Sequence, residues 1–371
     1  MPRTAWNLDY KAPRAGTHYP SSTTQFASWF IDERSATAYL EAVRFRNGLG
    51  CVRCGVVGPR RQGLDGSFWC GACRRRFTVR TGTVLERTHV PLRTWLTAAW
   101  QLTNTKSGFS AVSLARSTGI HYETAWYLEH KLRAAMSSAG HARLRGNVEL
   151  DETFVGGVAR GAGSGGSQAR ESNKTTVIVA AERATETMIG RIRMARSYNA
   201  TVLCTANFIT ENIEPGAILF TDGWPTYAPA LKLLALEGLY YDLRPTDVAN
   251  AAGHAHDHLF AVHRVASLLK RWLLGTYHGS VSEHQIDHYL DEFAFRFNRR
   301  SSSNRGLLFW RLVTELVSTR PILREEIDDR RAELAKADAE LAKDIELYTQ
   351  GADRRYRARV KAHRVKGIPV Y

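Results

Sequence analysis

Two Cys-x-x-Cys pairs constrain this chain more than any other feature. They are Cys51-Val-Arg-Cys54 and Cys70-Gly-Ala-Cys73, and they hold four of the five cysteines. Each pair sets two thiolates on one tight knuckle. Two knuckles supply the four soft, tetrahedral ligands that a structural Zn²⁺ takes. Met1 to Pro20 lacks the apolar stretch of a secretory leader, so a reducing compartment is expected, where such spacing favours metal over disulfides. Gly55 follows the first knuckle and Arg74 the second, and Arg53, Arg60, Arg61, Arg74, Arg75 and Arg76 make the module basic. Trp69 and Phe77 are placed to pack against it. Such a ribbon either grips DNA or serves to fold a segment too small to fold alone. Cys204 stands apart and reads as a buried structural thiol.

The basic character extends over the whole chain, which carries a formal net charge of +15 on 371 residues. A protein this basic is expected to meet a polyanion, with nucleic acid the default partner. At 44% hydrophobic residues it can bury real cores, and no apolar run is long enough to span a bilayer. The expected location is therefore cytoplasmic, on the nucleoid.

Helical spacing of Tyr39, Leu40 and Val43 predicts one amphipathic helix over about 26–47, and residues 91–138 read as several helices. Within them, Ser110 to Gly119 followed by Ile120 to Arg133 has the layout of a helix-turn-helix, with Gly119 at the turn. Tyr122 and Thr124 would lie at the groove end of the second helix, and Lys131 and Arg133 would suit phosphates. An ordinary helical hairpin has the same pattern.

Two acids stand at strand ends before glycines. Leu150-Asp151-Glu-Thr-Phe-Val-Gly-Gly157 and Ile218-Leu-Phe-Thr-Asp222-Gly223 each offer a carboxylate at a strand edge. Carboxylates held so bind hard cations such as Mg²⁺ or Mn²⁺. Each Asp taken alone equally well begins a turn. Glu149 shares the face of Asp151 two residues back, and Glu152 points to the opposite face; both rank as supporting residues at best. A third element, Val262 to Arg271, is a helix on which His263 and Lys270, seven residues apart, share a face with Ser267 between them.

Four stretches carry a resemblance: Val148 to Gly157, Thr221 to Tyr227, His263 to Thr276 and Asp291 to Arg300. Together they resemble a bacterial insertion-sequence transposase family, from about Phe26 to about Val317. That family carries an N-terminal zinc ribbon and an Asp-Asp-Glu type catalytic domain of ribonuclease-H-like fold. The resemblance implies that Asp151 and Asp222 are the first two metal ligands. The third place, Glu in most such enzymes and Glu, Asn or His in this family, is held by His263, with Lys270 seven residues on. An imidazole is softer than carboxylate and favours Mn²⁺ or a looser metal. Lys270 would then meet a phosphate near the scissile bond. Arg271, Arg299 and Arg300 would line the path of the backbone.

The fold expected is α/β: a ribonuclease-H-like mixed five-stranded sheet flanked by helices, preceded by a zinc ribbon and a helix-turn-helix region. The domains expected are 26–87 (helix and ribbon), 88–140 (helix-turn-helix region), 146–318 (catalytic domain) and 319–371 (charged helix and basic tail). The strands are expected near 148–155, 175–182, 188–196, 217–221 and 239–243, the first three antiparallel. The expected cofactors are one structural Zn²⁺ and catalytic Mg²⁺ or Mn²⁺. The partners are double-stranded DNA, at element ends and target, and a second copy of the chain, since two ends must be brought together. Three rivals share parts of this sequence. They are a transposase-derived regulator with a dead site, a nuclease of the same fold, and a zinc-ribbon transcription factor, which has no need of the acidic strand ends.

Overall fold

Asp32 begins a helix. Its carboxylate accepts from the backbone of Ser35 at 2.7 Å, while the Ser35 hydroxyl accepts from the backbone of Asp32 at 3.3 Å. This capping box splits the single helix expected over 26–47 into α1 (Thr23–Trp29) and α2 (Glu33–Arg44). The structure, a computed structural model, describes residues 12–62, 66–138, 142–156, 174–185, 187–197, 202–246, 258–279 and 281–328.

After α2 come three short antiparallel strands, β1 (Arg60–Gln62), β2 (Ser67–Cys70) and β3 (Arg75–Phe77). Then follow α3 (Leu92–Asn104), α4 (Ala111–Thr118) and α5 (Tyr122–Ser138). A second series runs β4 (Asn147–Val155), β5 (Thr175–Arg183), β6 (Ile189–Ser197), α6 (Val202–Asn212), β7 (Ile218–Thr221), α7 (Tyr227–Leu236) and β8 (Asp242–Pro245). It ends with α8 (Phe260–Tyr277) and α9 (Ile286–Phe297), before α10 (Gly306–Leu316) and α11 (Arg324–Asp328). The chain divides into two compact units, one of residues 1–140 with 299–327, the other of 141–298 with 328–371.

The first unit thus recruits α10, which the sequence reading had placed in a catalytic domain running to 318. The reason is aromatic packing. Phe309 on α10 lies 5.4 Å from the ring of Trp100 and 6.2 Å from that of Tyr39, and Phe26 stacks on Trp100 at 5.0 Å. Tyr39, Leu96 and Phe309 are wholly buried. Gly306, at the start of α10, is needed for close approach: a Cβ there would stand 1.9 Å from the carbonyl oxygen of Pro20. Gly306→Ala is therefore expected to destabilise the protein by about 1–3 kcal/mol, the usual range for overpacking, and to lower its melting temperature by several degrees. A thermal melt of the variant indistinguishable from wild type would contradict this packing.

The second unit is a mixed five-stranded sheet in the order β6-β5-β4-β7-β8. β4 and β6 run antiparallel to β5, while β7 lies parallel to β4 and β8 parallel to β7. The central run Val177 to Ala181 is apolar at every position, as a strand buried on both faces must be. Ile178 and Ala180 enter one core with Val148, Leu150, Leu219, Phe208 and Tyr227 beneath α6 and α7. Val177, Val179 and Ala181 enter the other with Val262, Val265, Leu269 and Phe293 beneath α8 and α9. Helices therefore cover both faces. The sequence motif at the end of α9 is partly structural: Glu292 is buried and paired with Arg296 at 3.0 Å, and the Asn298 side chain brackets the backbone of Ile192 at 2.7 and 3.1 Å. Among the described residues, no helix is long and apolar enough to cross a membrane. The Gly/Ser-rich stretch 160–168, His254 and His256, and all but the start of the charged C-terminal helix lie outside the described residues.

Candidate active site

The four cysteines converge. Their sulfurs all lie within 4.8 Å of one another, with Cys51 Sγ 3.7 Å from Cys73 Sγ and Cys54 Sγ 3.6 Å from Cys70 Sγ. Ligands about 2.3 Å from a tetrahedral centre stand about 3.8 Å apart, so the cluster has the dimensions of a structural metal site. Gly55 and Arg74, the residues after the knuckles, both adopt left-handed backbone, with φ of 73° and 52°. Phe45, Phe68 and Phe77 pack beside the cluster, a core too small to fold this segment without the metal.

Gly119 ends α4 with φ 74°, and α5 begins three residues later, as the helix-turn-helix reading requires. Tyr122 is exposed and Thr124 partly so. Arg133 is a correction: it is wholly buried and paired with Glu129 at 2.9 Å, one helical turn back. A guanidinium held inside by its own carboxylate cannot reach a phosphate. Lys131 is half-buried and Glu326 on α11 stands near it, while Arg324 lies 4.3 Å over the ring of Tyr127 and pairs with Glu123. Arg299 is half-buried and Arg300 exposed in the same unit.

In the second unit, β4 and β7 run side by side and parallel with Glu149 opposite Phe220, so Asp151, midway along β4 and not at the strand end expected from the sequence, comes beside Asp222, the residue just past the end of β7. The Gly223 turn, φ 81°, and a bond from the backbone of Trp224 to Asp222 Oδ1 at 3.0 Å fix the second carboxylate. Asp151 points to the face covered by α8, where His263 Nδ1 lies 3.7 Å from its Oδ2. Lys270, exposed two turns further along α8, is near enough for its charge to act on Asp151. Arg271 is exposed beside it. Burial pushes Asp151 up to about 6; the nearby His263 opposes this and the charge of Asp222 adds to it. Burial likewise draws Lys270 down, helped by Lys174.

Two carboxylates and an imidazole form a donor set suited to a hard divalent cation. The raised Asp151 is what two uncompensated acids in a half-buried site produce, and a cation would relieve it. Among the described residues, only the cysteine cluster already brings three or more ligand atoms within 4.8 Å.

Two further acids belong to this neighbourhood. Glu152, on the opposite strand face, accepts from the Tyr227 hydroxyl at 2.9 Å. Burial pushes it up to about 7, with the charges of Asp151 and Asp222 contributing. Tyr227 was visible in the sequence only as a residue near Asp222, and nothing there linked it to Glu152. Glu149 is wholly buried and reaches Arg183 and the start of α8. Period-two alternation puts it on the Asp151 face, and a carboxylate inside an apolar strand signals a buried partner.

Residues 143–298 match the family model of the ISXO2-like transposase domain. An uncharacterized protein in transposable element ISH50 of Halobacterium salinarum is 28% identical over 281 residues, 72% of this chain and 91% of that protein. A chain in the crystal structure of a pre-cleavage Mos1 transpososome is similar over 60% of this chain and 75% of its own length, at 13% identity and a TM-score of 0.27.

Proposed function

We propose, from the match of residues 143–298 to the ISXO2-like transposase domain model, that this chain cuts the ends of an insertion sequence and joins them to target DNA. The observation that supports the reading is His263 Nδ1 at 3.7 Å from Asp151 Oδ2, with Asp222 near enough for its charge to act on Asp151. The strand order, with one antiparallel strand between β6 and β4 and parallel β7 and β8 beyond, is that expected of a ribonuclease-H-like domain.

Asp151, Asp222 and His263 would hold Mg²⁺ or Mn²⁺, which activates the attacking oxygen and steadies the leaving one in phosphoryl transfer. The chain's own residues do the rest. Lys270, exposed on the same face of α8 as His263, meets a DNA phosphate beside the scissile bond, and Arg271 extends that contact. The cysteine cluster holds Zn²⁺, and Tyr122 and Thr124 present the groove-facing end of α5 to the terminal repeats. Arg299 and Arg300 add phosphate contacts, and two copies of the chain pair the two ends. The protein works in the cytoplasm, on the nucleoid.

Cation binding should depend on pH in a definite direction. Asp151 near 6 and Glu152 near 7 hold protons in the metal-free protein longer than free carboxyls do. Their folded values are raised, so the stability they lend is complete below about pH 4 and is lost as pH rises through 6 to 7. A cation must displace the Asp151 proton, so its affinity rises over the same interval. Mn²⁺ titrations followed by electron paramagnetic resonance at pH 5.5 and pH 8 are expected to give tighter binding at pH 8. Equal affinities would contradict a carboxylate site. The test of function itself is a strand-transfer assay with Mn²⁺ on DNA carrying the element's own flanks. Joined products are expected; binding without joining indicates a regulator, and cutting without joining a nuclease.

A further inference from the structure

One ion pair, with a wholly buried Glu149 and a partly buried Arg183, touches all three elements that carry the candidate metal ligands. Glu149 on β4 accepts from Arg183 Nε at 2.6 Å through one oxygen. Its other oxygen accepts from the backbone of Ala261 at 2.8 Å and of Val262 at 3.0 Å. These are orphan N–H groups in the first turn of α8, and the N-cap residue of that helix, Leu259, offers no side chain to satisfy them. A carboxylate from the sheet does so instead, at the positive end of the helix dipole. Arg183 continues the clamp. It donates to the carbonyl of His258, and its guanidinium lies 4.2 Å from the centroid of the Phe220 ring on β7.

The positions matter. Glu149 is two residues before Asp151, Phe220 two before Asp222, and Val262 immediately before His263. Glu149 and Phe220 are also register partners across β4 and β7. Apolar packing of Val262 and Val265 holds α8 to the sheet but tolerates sliding and rotation. Hydrogen bonds near 3 Å do not, because they are directional.

We propose that Glu149 and Arg183 are positioning residues, which fix the rotation and height of α8 so that His263 faces Asp151 and Asp222. This rests on the metal-site reading above. A buried ion pair is seldom needed for stability, since apolar residues of similar volume often replace it without loss. Its worth here is placement, as for groups that orient the ligands of a metal and whose loss commonly weakens metal affinity or activity 10–100-fold.

The experiment uses the full-length, zinc-loaded protein with three variants: Glu149→Gln, Arg183→Lys, and the apolar double variant Glu149→Leu with Arg183→Met. Each is measured for thermal melting and for Mn²⁺ affinity at pH 8. The expected result is about tenfold or greater loss of Mn²⁺ affinity in all three, while the double variant melts within a few degrees of wild type. Wild-type Mn²⁺ affinity in a stable double variant would overturn the proposal, because stability alone would then explain the pair. Failure of the double variant to fold would overturn it too. If the wild-type protein itself binds no Mn²⁺ and Asp151→Asn changes nothing, the metal-site reading has failed, a result distinct from either.

Discussion

Asp151→Asn and Asp222→Asn are each expected to lower strand cleavage at least about a thousandfold, roughly 4 kcal/mol of barrier, while binding to element ends stays within about twofold of wild type. The reasoning is electrostatic. Asp151 feels the charges of His263, Asp222 and Lys270, and its one ion-pair contact among the described residues is that with His263. Asparagine keeps the shape, and it keeps the Asx turn that Trp224 closes on Asp222. What it removes is the anionic oxygen that a hard cation requires. Single-turnover cleavage and gel-shift binding on the same duplex separate the two effects. Cleavage persisting in both variants, or binding lost in step with cleavage in a folded variant, would contradict the assignment.

The second large effect concerns the cysteine cluster. Cys70→Ser, or stripping the metal with a strong chelator, is expected to unfold the segment from about Leu49 to Phe77. Cys70 is almost wholly buried with Cys51, Phe68 and Phe77, and among the described residues of this segment that small cluster, with Phe45, Leu49 and Val52 packed against it, is the apolar core. Structural zinc contributes about 10–16 kcal/mol of apparent free energy in small zinc domains, far more than three phenylalanines supply. Elemental analysis should find one zinc per wild-type chain, and limited proteolysis should cut the variant within this segment. The second unit has cores of its own on both sheet faces and should keep its protection. A protein free of zinc yet equally protected at 49–77 would contradict the ribbon.

Much of this was legible in the residues because the features are local. Two knuckles of fixed spacing imply a cluster whatever lies between them, and the structure brings the four sulfurs together. Gly119 marks a turn because left-handed backbone suits glycine. The strand expected near 175–182 is there as β5, because its run of apolar and β-branched residues is itself local. Asp222 stands where an apolar strand followed by an acid and a glycine suggests, just past β7, whereas Asp151, read by the same pattern, lies in the middle of β4 because that strand continues to Val155.

What escaped depends on distant partners. The capping box at Asp32 and Ser35 was in plain view, yet the apolar spacing across it read as one continuous helix. Arg133 looked like a phosphate ligand because it is charged, and only the packing of α5 shows that it points inward to Glu129. The placement of α10 in the first unit follows from Phe309 meeting Tyr39 and Trp100, residues more than two hundred positions away. Glu149 and Arg183 are 34 residues apart, and the first helix N–H that Glu149 accepts, that of Ala261, lies 112 residues beyond it. No periodicity reports a contact of that kind.

The central claim is that Asp151 and Asp222 share a divalent cation with His263. Crystals of the full-length protein soaked in Mn²⁺ test it most directly, through anomalous scattering at the manganese edge. The account predicts a peak bonded to carboxylate oxygens of both Asp151 and Asp222, with the His263 ring turned toward it, and its loss in Asp222→Asn. Anomalous density confined to other sites, with the two carboxylates left unbridged at saturating Mn²⁺, would contradict it.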